Sequence, residues 1–507
     1  MTTAVRAKYV LCGAGGARHW RHDAYVTVDG TRVVSVGTVP PAEAEIVDLG
    51  EAVLMPGLID LDALVDIDHM ILDNWHSPTD ALELVGGAEY WRHARRDILT
   101  PDERETLRTY GVLQLVLHGI TSFMPIASEV HLGWGESAAE LHHVADVARR
   151  LGVRAWLGPS YRSAVAAVEQ DATGGVSRVL VHDPEAGREG FAEACRFIDD
   201  LTDDLTDDPD PLITPVLLPC RIETLDRGLL EATAEVSERS DVLVRLHSLQ
   251  QSWERDLVID REGVPPLDLI EETGLLTDRL LIPHALWTDM NPALSGETLS
   301  PGRSRDLRRL SQAGVSVVHC PLTSFRGGRM LRTLGAFTGA GVNVALGTDS
   351  FPPDLIRGMD VGFHSTRLLH GHDGTTLATY CDAATTGGAR ALRRPDLGVI
   401  EPGATADLTA FSLGDIRDGV HEDPLRTLVY NASARNAVFS MVGGSTVMRD
   451  GEIPGVGPAA IRAIRSEAQR IFDRLREGYA LRDRTGRPVD QIFPPTYPPH
   501  TDPVKDS

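Results

Sequence analysis

This 507-residue chain contains almost no lysine, since Lys8 and Lys505 are the only two in the sequence. The remaining basic residues are arginines, and 73 acidic residues against 49 basic ones give a formal net charge of −24. Such a charge repels phosphate backbones and anionic membranes, so neither nucleic acid nor a membrane surface is an expected partner. Codon bias explains the lack of lysine as readily as function does, and the net charge by itself indicates solubility.

Cysteines and long apolar runs are also scarce. The five cysteines are far apart and form no Cys-x-x-Cys pair, which argues against a disulfide framework and for a reducing compartment. No apolar run reaches the length of a membrane span, and the first residues lack the long apolar core of a signal peptide. We therefore expect a cytoplasmic globular protein.

Three kinds of sequence pattern divide the chain. Residues 1–52 and 403–455 are rich in short alternating runs separated by turn signals, which is typical of β structure. Residues 53–402 alternate strand and helix signals, which predicts parallel strands with helical crossovers. Residues 456–507 contain a charged helical stretch followed by a proline-rich tail. The tail is compatible with a homodimer, although nothing in the sequence demonstrates one.

Eight strand–helix units favour a closed barrel over an open sheet, so we predict an α/β protein with a (β/α)8 TIM-like barrel over residues 53–402. A small β-sandwich domain is expected to form from residues 1–52 and 403–455. One crossover helix shows its start signals clearly, because Thr100, Pro101 and Glu103 match a capping box with proline at the first helical position. The eight barrel strands are predicted near residues 53–61, 120–124, 153–158, 213–219, 242–247, 279–284, 315–319 and 342–348.

Residues 53–60, Val-Leu-Met-Pro-Gly-Leu-Ile-Asp, resemble the opening strand of the amidohydrolase superfamily, which consists of metal-dependent hydrolases built on a (β/α)8 barrel. Later strand ends resemble the rest of that family's site, namely His247, His284, His319 and Asp349 in Gly-Thr-Asp. The resemblance extends into residues 403–408 and so covers nearly the whole chain. Within the superfamily it is greatest for the branch of aminohydrolases, deaminases and triazine chlorohydrolases.

The resemblance implies a role for each of these strand ends. His247 takes the place of a metal ligand, and His284 that of a group that binds the metal or the attacking water. Asp349 takes the place of the aspartate that binds the metal and accepts a proton from water. Neutral imidazole and carboxylate suit one divalent metal, Zn or alternatively Fe or Mn. Such a metal lowers the pKa of bound water to roughly 7.

The sequence departs from the family pattern at three sites, of which the mildest is Thr323-Ser324-Phe325, where the family has Ser-Asn after the strand 7 proline. The family's opening strand continues as Asp-x-His-x-His, but here the two histidine positions are Asp62 and Leu64. A carboxylate can bind a metal and an isobutyl group cannot, so Asp62 is predicted as a ligand. The residues that lie nearby in the sequence and could compensate for Leu64 are Asp60, Asp66, Asp68 and His69. Deaminases of this branch carry His-x-x-Glu after strand 5, whereas this chain has Gln250, a neutral amide that cannot exchange a proton.

The predicted site therefore contains two catalytic residues, Asp349 and His284, and four metal ligands, His247, His284, Asp349 and Asp62. We predict that the substrate contacts His319, Gln250, Arg329 and His69. A structural hydrogen bond is the simpler interpretation of His319. Arg245 is expected to lie deep in the barrel or to point away from His247, since side chains alternate along a strand.

Three hypotheses for function follow from the sequence. The first is a metal-dependent hydrolase of a C–N or related bond in a small, nitrogen-containing and perhaps heterocyclic substrate. The second is a metal-free barrel, a lyase, isomerase or cyclase that uses the same histidines and aspartate as acids and bases. The third is a non-catalytic ligand-binding protein. Retention of His247, His284 and Asp349 favours the first two, and Leu64 and Gln250 favour the second and third.

Overall fold

The computed structural model describes residues 2–67, 87–94, 98–126, 134–171, 173–205, 210–297, 299–331, 334–371, 374–480, 487–492 and 494–497. Asp68 and His69 lie outside the described residues. The strands are β1 (Thr2–Cys12), β2 (His19–Asp29), β3 (Arg32–Gly37), β4 (Glu45–Asp48), β5 (Ala52–Pro56), β6 (Leu58–Leu64), β7 (Ile120–Ile126), β8 (Arg154–Leu157), β9 (Ser160–Tyr161), β10 (Ala164–Gln170), β11 (Val176–His182), β12 (Ile213–Pro215), β13 (Leu218–Pro219), β14 (Val244–Arg245), β15 (Leu280–Pro283), β16 (Ser316–His319), β17 (Asn343–Leu346), β18 (Leu408–Ser412), β19 (Ala437–Val442) and β20 (Ser445–Arg449).

Helices connect most of these strands. Thr100 and Glu103 form the predicted capping box at the start of the first helix, and Pro101 is its first residue, so this prediction is confirmed. The α-helices are Pro101–Leu117, Ala138–Leu151, Pro184–Leu205, Arg227–Ser240, Ser252–Glu262, Pro266–Glu272, Pro292–Ser295, Arg305–Ala313, Pro321–Arg326, Leu334–Gly339, Leu355–His370, Leu377–Asp382, Gly388–Ala391, Pro424–Asn431, Pro458–Ala480 and Val489–Ile492. In the described part of the chain, no helix combines the length and the apolarity that a bilayer span requires.

Eight parallel strands form two four-stranded sheets at the centre of the molecule. Their orders are β12-β8-β7-β6 and β14-β15-β16-β17. Seven of these strands lie where the sequence predicted them. The predicted first strand is divided, because its residues up to Pro56 form β5 in a different sheet and the parallel sheet begins at Leu58. Among the described strands, this pairing gives two parallel sheets and no single closed barrel.

Backbone hydrogen bonds join the two sheets at both of their edges. At one edge Leu217 N donates to Leu243 O over 2.9 Å, and Arg245 N donates to Leu217 O over 3.0 Å. At the other edge Asp349 N donates to Asp62 O over 2.8 Å. This approach requires Gly347, since a Cβ there would lie 2.5 Å from the Cβ of Asp62. The carboxyl ends of the first and last parallel strands are therefore neighbours.

Strands from both ends of the chain form one eight-stranded sheet, in the order β20-β19-β18-β5-β1-β2-β3 with β4 paired to β1. Strands β2 and β3 form an antiparallel hairpin, as the turn signal Asp29-Gly30 between two alternating runs predicts, and Gly30 has the positive φ of 56° that such a turn uses. A separate apolar core lies on this sheet and includes Val26, Leu54 and Phe439. The pairing confirms that both termini contribute to one sheet, but it does not confirm a two-layer sandwich.

The C-terminal helix Pro458–Ala480 packs beside the first parallel strand. Leu64, which is fully buried, belongs to an apolar cluster with Leu107 and with Ile471 and Leu475 of this helix. The side chain at the altered histidine position therefore contributes to the core between strand and helix. The sequence analysis did not predict this contact.

One further element was not predicted. Strands β10 and β11 form an antiparallel hairpin between the third and fourth parallel strands. Its Arg178 guanidinium lies 3.9 Å from the ring centroid of Trp253, at the start of the helix that follows β14. A guanidinium stacked on indole at this distance is a favourable cation–π contact. This contact attaches the hairpin to the helix that follows β14.

Candidate active site

Four of the predicted site residues lie together at the carboxyl ends of the parallel strands. Asp62 is in β6, while His247, His284 and Asp349 follow β14, β15 and β17. The Oδ2 atom of Asp62 lies 3.4 Å from Nε2 of His247 and 4.0 Å from Nε2 of His284. Nε2 of His284 lies 3.5 Å from Oδ2 of Asp349. The four side chains therefore form a continuous series, His247–Asp62–His284–Asp349.

His284 is buried and lies at the centre of this series. Neither of its ring nitrogens has a hydrogen-bond partner among the described residues. Burial lowers the pKa of His284 well below its usual range, and the charge of nearby His247 acts in the same direction. The imidazole is therefore neutral, which is the form that offers a lone pair to a metal or a proton.

Asp62 is fully buried and is surrounded by cationic and polar groups. NH1 of Arg245 lies 3.3 Å from its Oδ1, and the thiol of Cys320 donates to its Oδ2 over 3.4 Å. Burial by itself raises the pKa of Asp62, but the charges of His247 and Arg245 outweigh it, so the net pKa lies below the usual range. Asp62 is therefore ionised and available as an anionic ligand. Arg245 lies deep in the core between the parallel strands, which is one of the two placements that the sequence predicted for it.

The donor set fits a divalent cation. Ligands held at about 2.0–2.3 Å from one Zn²⁺ lie about 3–4 Å from one another, and neighbouring members of the series His247–Asp62–His284–Asp349 have such separations, of 3.4, 4.0 and 3.5 Å. Ligand atoms of Asp62, His284 and Cys320 also lie within 4.8 Å of one another. The unsatisfied buried nitrogens of His284 are a second sign, because such groups ordinarily have a partner.

The predicted substrate contacts occupy different surroundings. His319 is completely buried and neither ring nitrogen has a hydrogen-bond partner among the described residues, so the simpler expectation of a structural hydrogen bond is not met there. Burial lowers the pKa of His319 to about 3. The Oε1 atom of Gln250 is likewise buried and lacks a described partner. Arg329 lines a cavity of about 680 Å³ next to the site, and His69 is outside the described residues.

Two residues near the site were missed in the sequence analysis. Cys320 follows the end of β16, and only the folded chain brings it to Asp62, which lies 258 positions earlier in the sequence. Glu254 is fully buried one turn beyond Gln250 and accepts hydrogen bonds from the backbone N–H groups of Leu249 (2.6 Å) and Gln250 (3.1 Å). Burial and the adjacent Glu223 raise the pKa of Glu254 to about 8. The sequence signal that could have identified Glu254 was an acidic residue in the first turn of a helix, where acidic side chains are favoured.

Asp60 acts on the site through the backbone. It accepts hydrogen bonds from Thr348 N over 3.0 Å and from Thr348 Oγ1 over 2.6 Å. Burial raises the pKa of Asp60 to about 6. The sequence analysis considered Asp60 only as a nearby carboxylate, whereas these bonds join the first parallel strand to the turn that carries Asp349. Asp60 is therefore a positioning residue.

Comparison with known proteins agrees with this architecture. The profile of the Amidohydrolase family matches residues 53–447. An 8-oxoguanine deaminase from Pseudomonas aeruginosa is 28% identical over 373 residues, which covers 72% of this chain and 76% of the relative. An adenosine deaminase from Xanthomonas campestris with bound Zn superposes with a TM-score of 0.71 at 23% identity, covering 93% of this chain and 98% of that one. Atrazine chlorohydrolase from Arthrobacter aurescens TC1 complexed with zinc gives a TM-score of 0.71 at 20% identity, covering 92% and 99%.

The chain belongs to the amidohydrolase family, and its relatives place it in the deaminase-like branch of that superfamily. It therefore has a TIM-barrel-like α/β fold, and the predicted class of enzyme, a hydrolase of non-peptide C–N bonds, is confirmed.

Proposed function

We propose that this protein is a metal-dependent hydrolase that cleaves a C–N bond in a small nitrogen heterocycle. The observation that supports it best is the buried series His247–Asp62–His284–Asp349, in which successive side chains are 3.4–4.0 Å apart. The deaminase and triazine-hydrolase relatives support the heterocyclic substrate, and the zinc in two structural neighbours supports the metal.

His247, His284, Asp62 and Asp349 would hold the cation. The cation would supply the Lewis acidity that makes water nucleophilic near neutral pH. The Asp349 carboxylate then accepts a proton from the attacking water and donates it to the departing amine nitrogen. The carbon loses its bond to nitrogen and gains a bond to oxygen, so water is consumed and an amine or ammonia is released.

Gln250 has a different role from the glutamate that this branch usually carries after strand 5. Its amide donates and accepts hydrogen bonds but exchanges no proton. Its buried, unsatisfied Oε1 is available to accept a hydrogen bond from an N–H group of the substrate. Asp349 therefore carries the proton transfers alone, and substrates that need a second acid should react slowly.

Metal content and turnover test this proposal together. Protein purified without added metal should contain about one equivalent of Zn, Fe or Mn by elemental analysis, and His247→Ala should lose most of it because one of the few ligands is removed. The matched control is His364→Ala, since the His364 side chain is 58% exposed on a surface helix. Ammonia release would be screened with amino-triazines, purines, pyrimidines and amidines. Metal-free protein, or unchanged metal content in His247→Ala, would reject the metal site.

The structure also contains an observation that favours the metal-free alternative. The Arg245 guanidinium already provides a countercharge to Asp62, so this carboxylate is not left unpaired when no cation is bound. A lyase, isomerase or cyclase would then use neutral His284 and Asp349 as its acid and base. Turnover that survives exhaustive dialysis against a chelator would favour this alternative.

Cys320 is proposed as an additional ligand that compensates for Leu64. Its sulfur is within 3.4 Å of Asp62 Oδ2, and a thiol that binds a metal releases its proton. The cobalt(II) form should therefore show a near-ultraviolet thiolate-to-cobalt charge-transfer band. The band should disappear in Cys320→Ser and persist in Cys381→Ser, which alters a buried cysteine on a different element. A cobalt protein without the band would exclude sulfur ligation and leave the histidine and aspartate ligands unaffected.

The domain division, the cellular location and the oligomeric state are also part of this proposal. We propose that residues 53–402 act as one catalytic barrel, and that residues 1–52 and 403–455 form a composite β-sandwich beside it. The hydrogen bonds at both edges of the parallel sheets support the first, and the separate apolar core on the eight-stranded sheet supports the second. A cytoplasmic location and a homodimer remain predictions.

A further inference from the structure

A cavity of about 680 Å³ lies beside the four clustered side chains. Two of its lining residues directly follow residues of the site in the sequence. Gln251 follows Gln250, and Ala285 follows His284. The loop after β16 contributes the opposite side, through Phe325 and Arg329 among others. Its volume is within the range of about 300–1,000 Å³ that small-molecule pockets occupy. The cavity is therefore large enough to hold a small heterocyclic substrate.

Arg329 is the one charged side chain among the described residues that line this cavity. Its Nε atom is buried and has no hydrogen-bond partner in the described part of the chain. Arg329 is close enough to the site for its charge to interact with Asp349 and His284. A partly buried guanidinium without a hydrogen-bonded anion is costly, and its planar donors match a carboxylate.

The remaining walls are mainly apolar and aromatic. Trp287, Phe325 and Phe337 line the cavity together with Leu286 and Met330. Trp287 is held in place because its backbone N–H donates to Leu249 O over 2.7 Å. Aromatic side chains pack well against flat aromatic rings. The lining thus combines the positively charged side chain of Arg329 with apolar surfaces that suit a planar ring.

We propose that the substrate is a planar heterocycle that carries a carboxylate, and that Arg329 binds this carboxylate. The inference rests on the proposed hydrolase function and specifies its substrate class. Binding of the carboxylate in the cavity would leave the opposite part of the ring to approach His284 and Asp349. Neutral rings of the same size lack the ion pair and should bind more weakly.

Nicotinate and nicotinamide test the inference directly, since they share one ring and nearly one shape but differ in charge. Dissociation constants would be measured by calorimetry on the full-length protein, without any need for turnover. We expect nicotinate to bind at least about tenfold more tightly than nicotinamide, because hydrogen bonds to charged groups are among the strongest in proteins. Nicotinamide binding as tightly as nicotinate, or no nicotinate binding at millimolar concentrations, would overturn the inference.

Variants of Arg329 identify the group responsible. Arg329→Gln should abolish the preference for nicotinate, and Arg329→Lys should restore part of it, because lysine keeps the charge but loses the paired geometry. Arg303→Gln is the matched control, since the Arg303 side chain is 65% exposed and paired with Glu297 outside this cavity. A preference for nicotinate that persists in correctly folded Arg329→Gln would show that Arg329 does not bind the carboxylate.

Failure of this inference is distinguishable from failure of the proposed hydrolase. Ammonia release would be measured with amino-heterocycles offered in pairs, with and without a carboxylate. Nicotinate preference with no hydrolysis of any pair would leave the anion site intact and reject the hydrolase. Hydrolysis of the carboxylated members at undiminished rate in Arg329→Gln would support the hydrolase and reject binding of the carboxylate by Arg329.

Discussion

Asp349→Asn is expected to lower kcat by about a thousandfold, since a positioned general base contributes about 10²–10⁴ to rate. Asparagine has the volume of aspartate but cannot accept the proton of water. The fold should survive. Asp349 has a positive φ of 39°, a conformation that asparagine tolerates better than most residues, and its backbone N–H bond to Asp62 O does not involve the side chain.

The control for this variant is Asp241→Asn. Asp241 also has a positive φ, of 50°, but its side chain is 65% exposed at the end of the helix Arg227–Ser240, where it pairs with Arg393. Its kcat should remain close to that of the wild type. Metal content of Asp349→Asn must be measured in parallel, because the same carboxylate is a proposed ligand. Full turnover by correctly folded Asp349→Asn would reject the proposed role of this residue.

Arg245→Met is expected to reduce the free energy of unfolding by about 3–5 kcal/mol, the cost of leaving one partner of a buried ion pair without the other. Arg245 is 3% exposed, and its guanidinium donates to the carbonyl oxygens of Leu61 (3.3 Å), Met124 (3.1 Å) and Pro125 (2.6 Å). Methionine fills a similar volume but supplies no donor to these oxygens and no charge to Asp62. The loss should therefore exceed that from packing alone.

Urea denaturation in the presence of a chelator measures this effect, since the chelator removes any cation that would offset the loss at Asp62. The matched control is Arg417→Met. Arg417 is 86% exposed and pairs with Asp415, and exposed pairs contribute about 0–1 kcal/mol. Equal stability losses in the two variants would show that the buried pair does not stabilise the parallel-strand core.

Much of the candidate site was predictable because its residues follow local patterns. His247, His284 and Asp349 each come directly after a short apolar run, and in parallel α/β proteins the carboxyl ends of such runs meet at one face. The position of a strand can be predicted from such an apolar run alone. The division at Gly57 was missed for the same reason, because β5 and β6 are both apolar and differ only in their distant partners, β18 and β7.

Other features depended on contacts between residues far apart in sequence. Cys320 reaches Asp62 across 258 positions, and Leu64 is buried against a helix some 400 residues further along. Neither residue has a local signal of its role, since a cysteine after a strand and a leucine within one are ordinary core residues. Arg329 was predicted as a substrate contact from its place after strand 7, but its status as the lone charge among the described cavity residues was visible only in the structure.

By itself, the sequence determined the order of the strand–helix units, the family pattern and the residue types offered at each strand end, because these depend on local periodicity and on side-chain chemistry. The tertiary structure alone decided that Asp62 faces both His247 and Arg245, and that Arg329 is the single charged side chain among the described residues of the cavity. The physical reason is that register and packing between distant strands set these distances, and no local pattern encodes them.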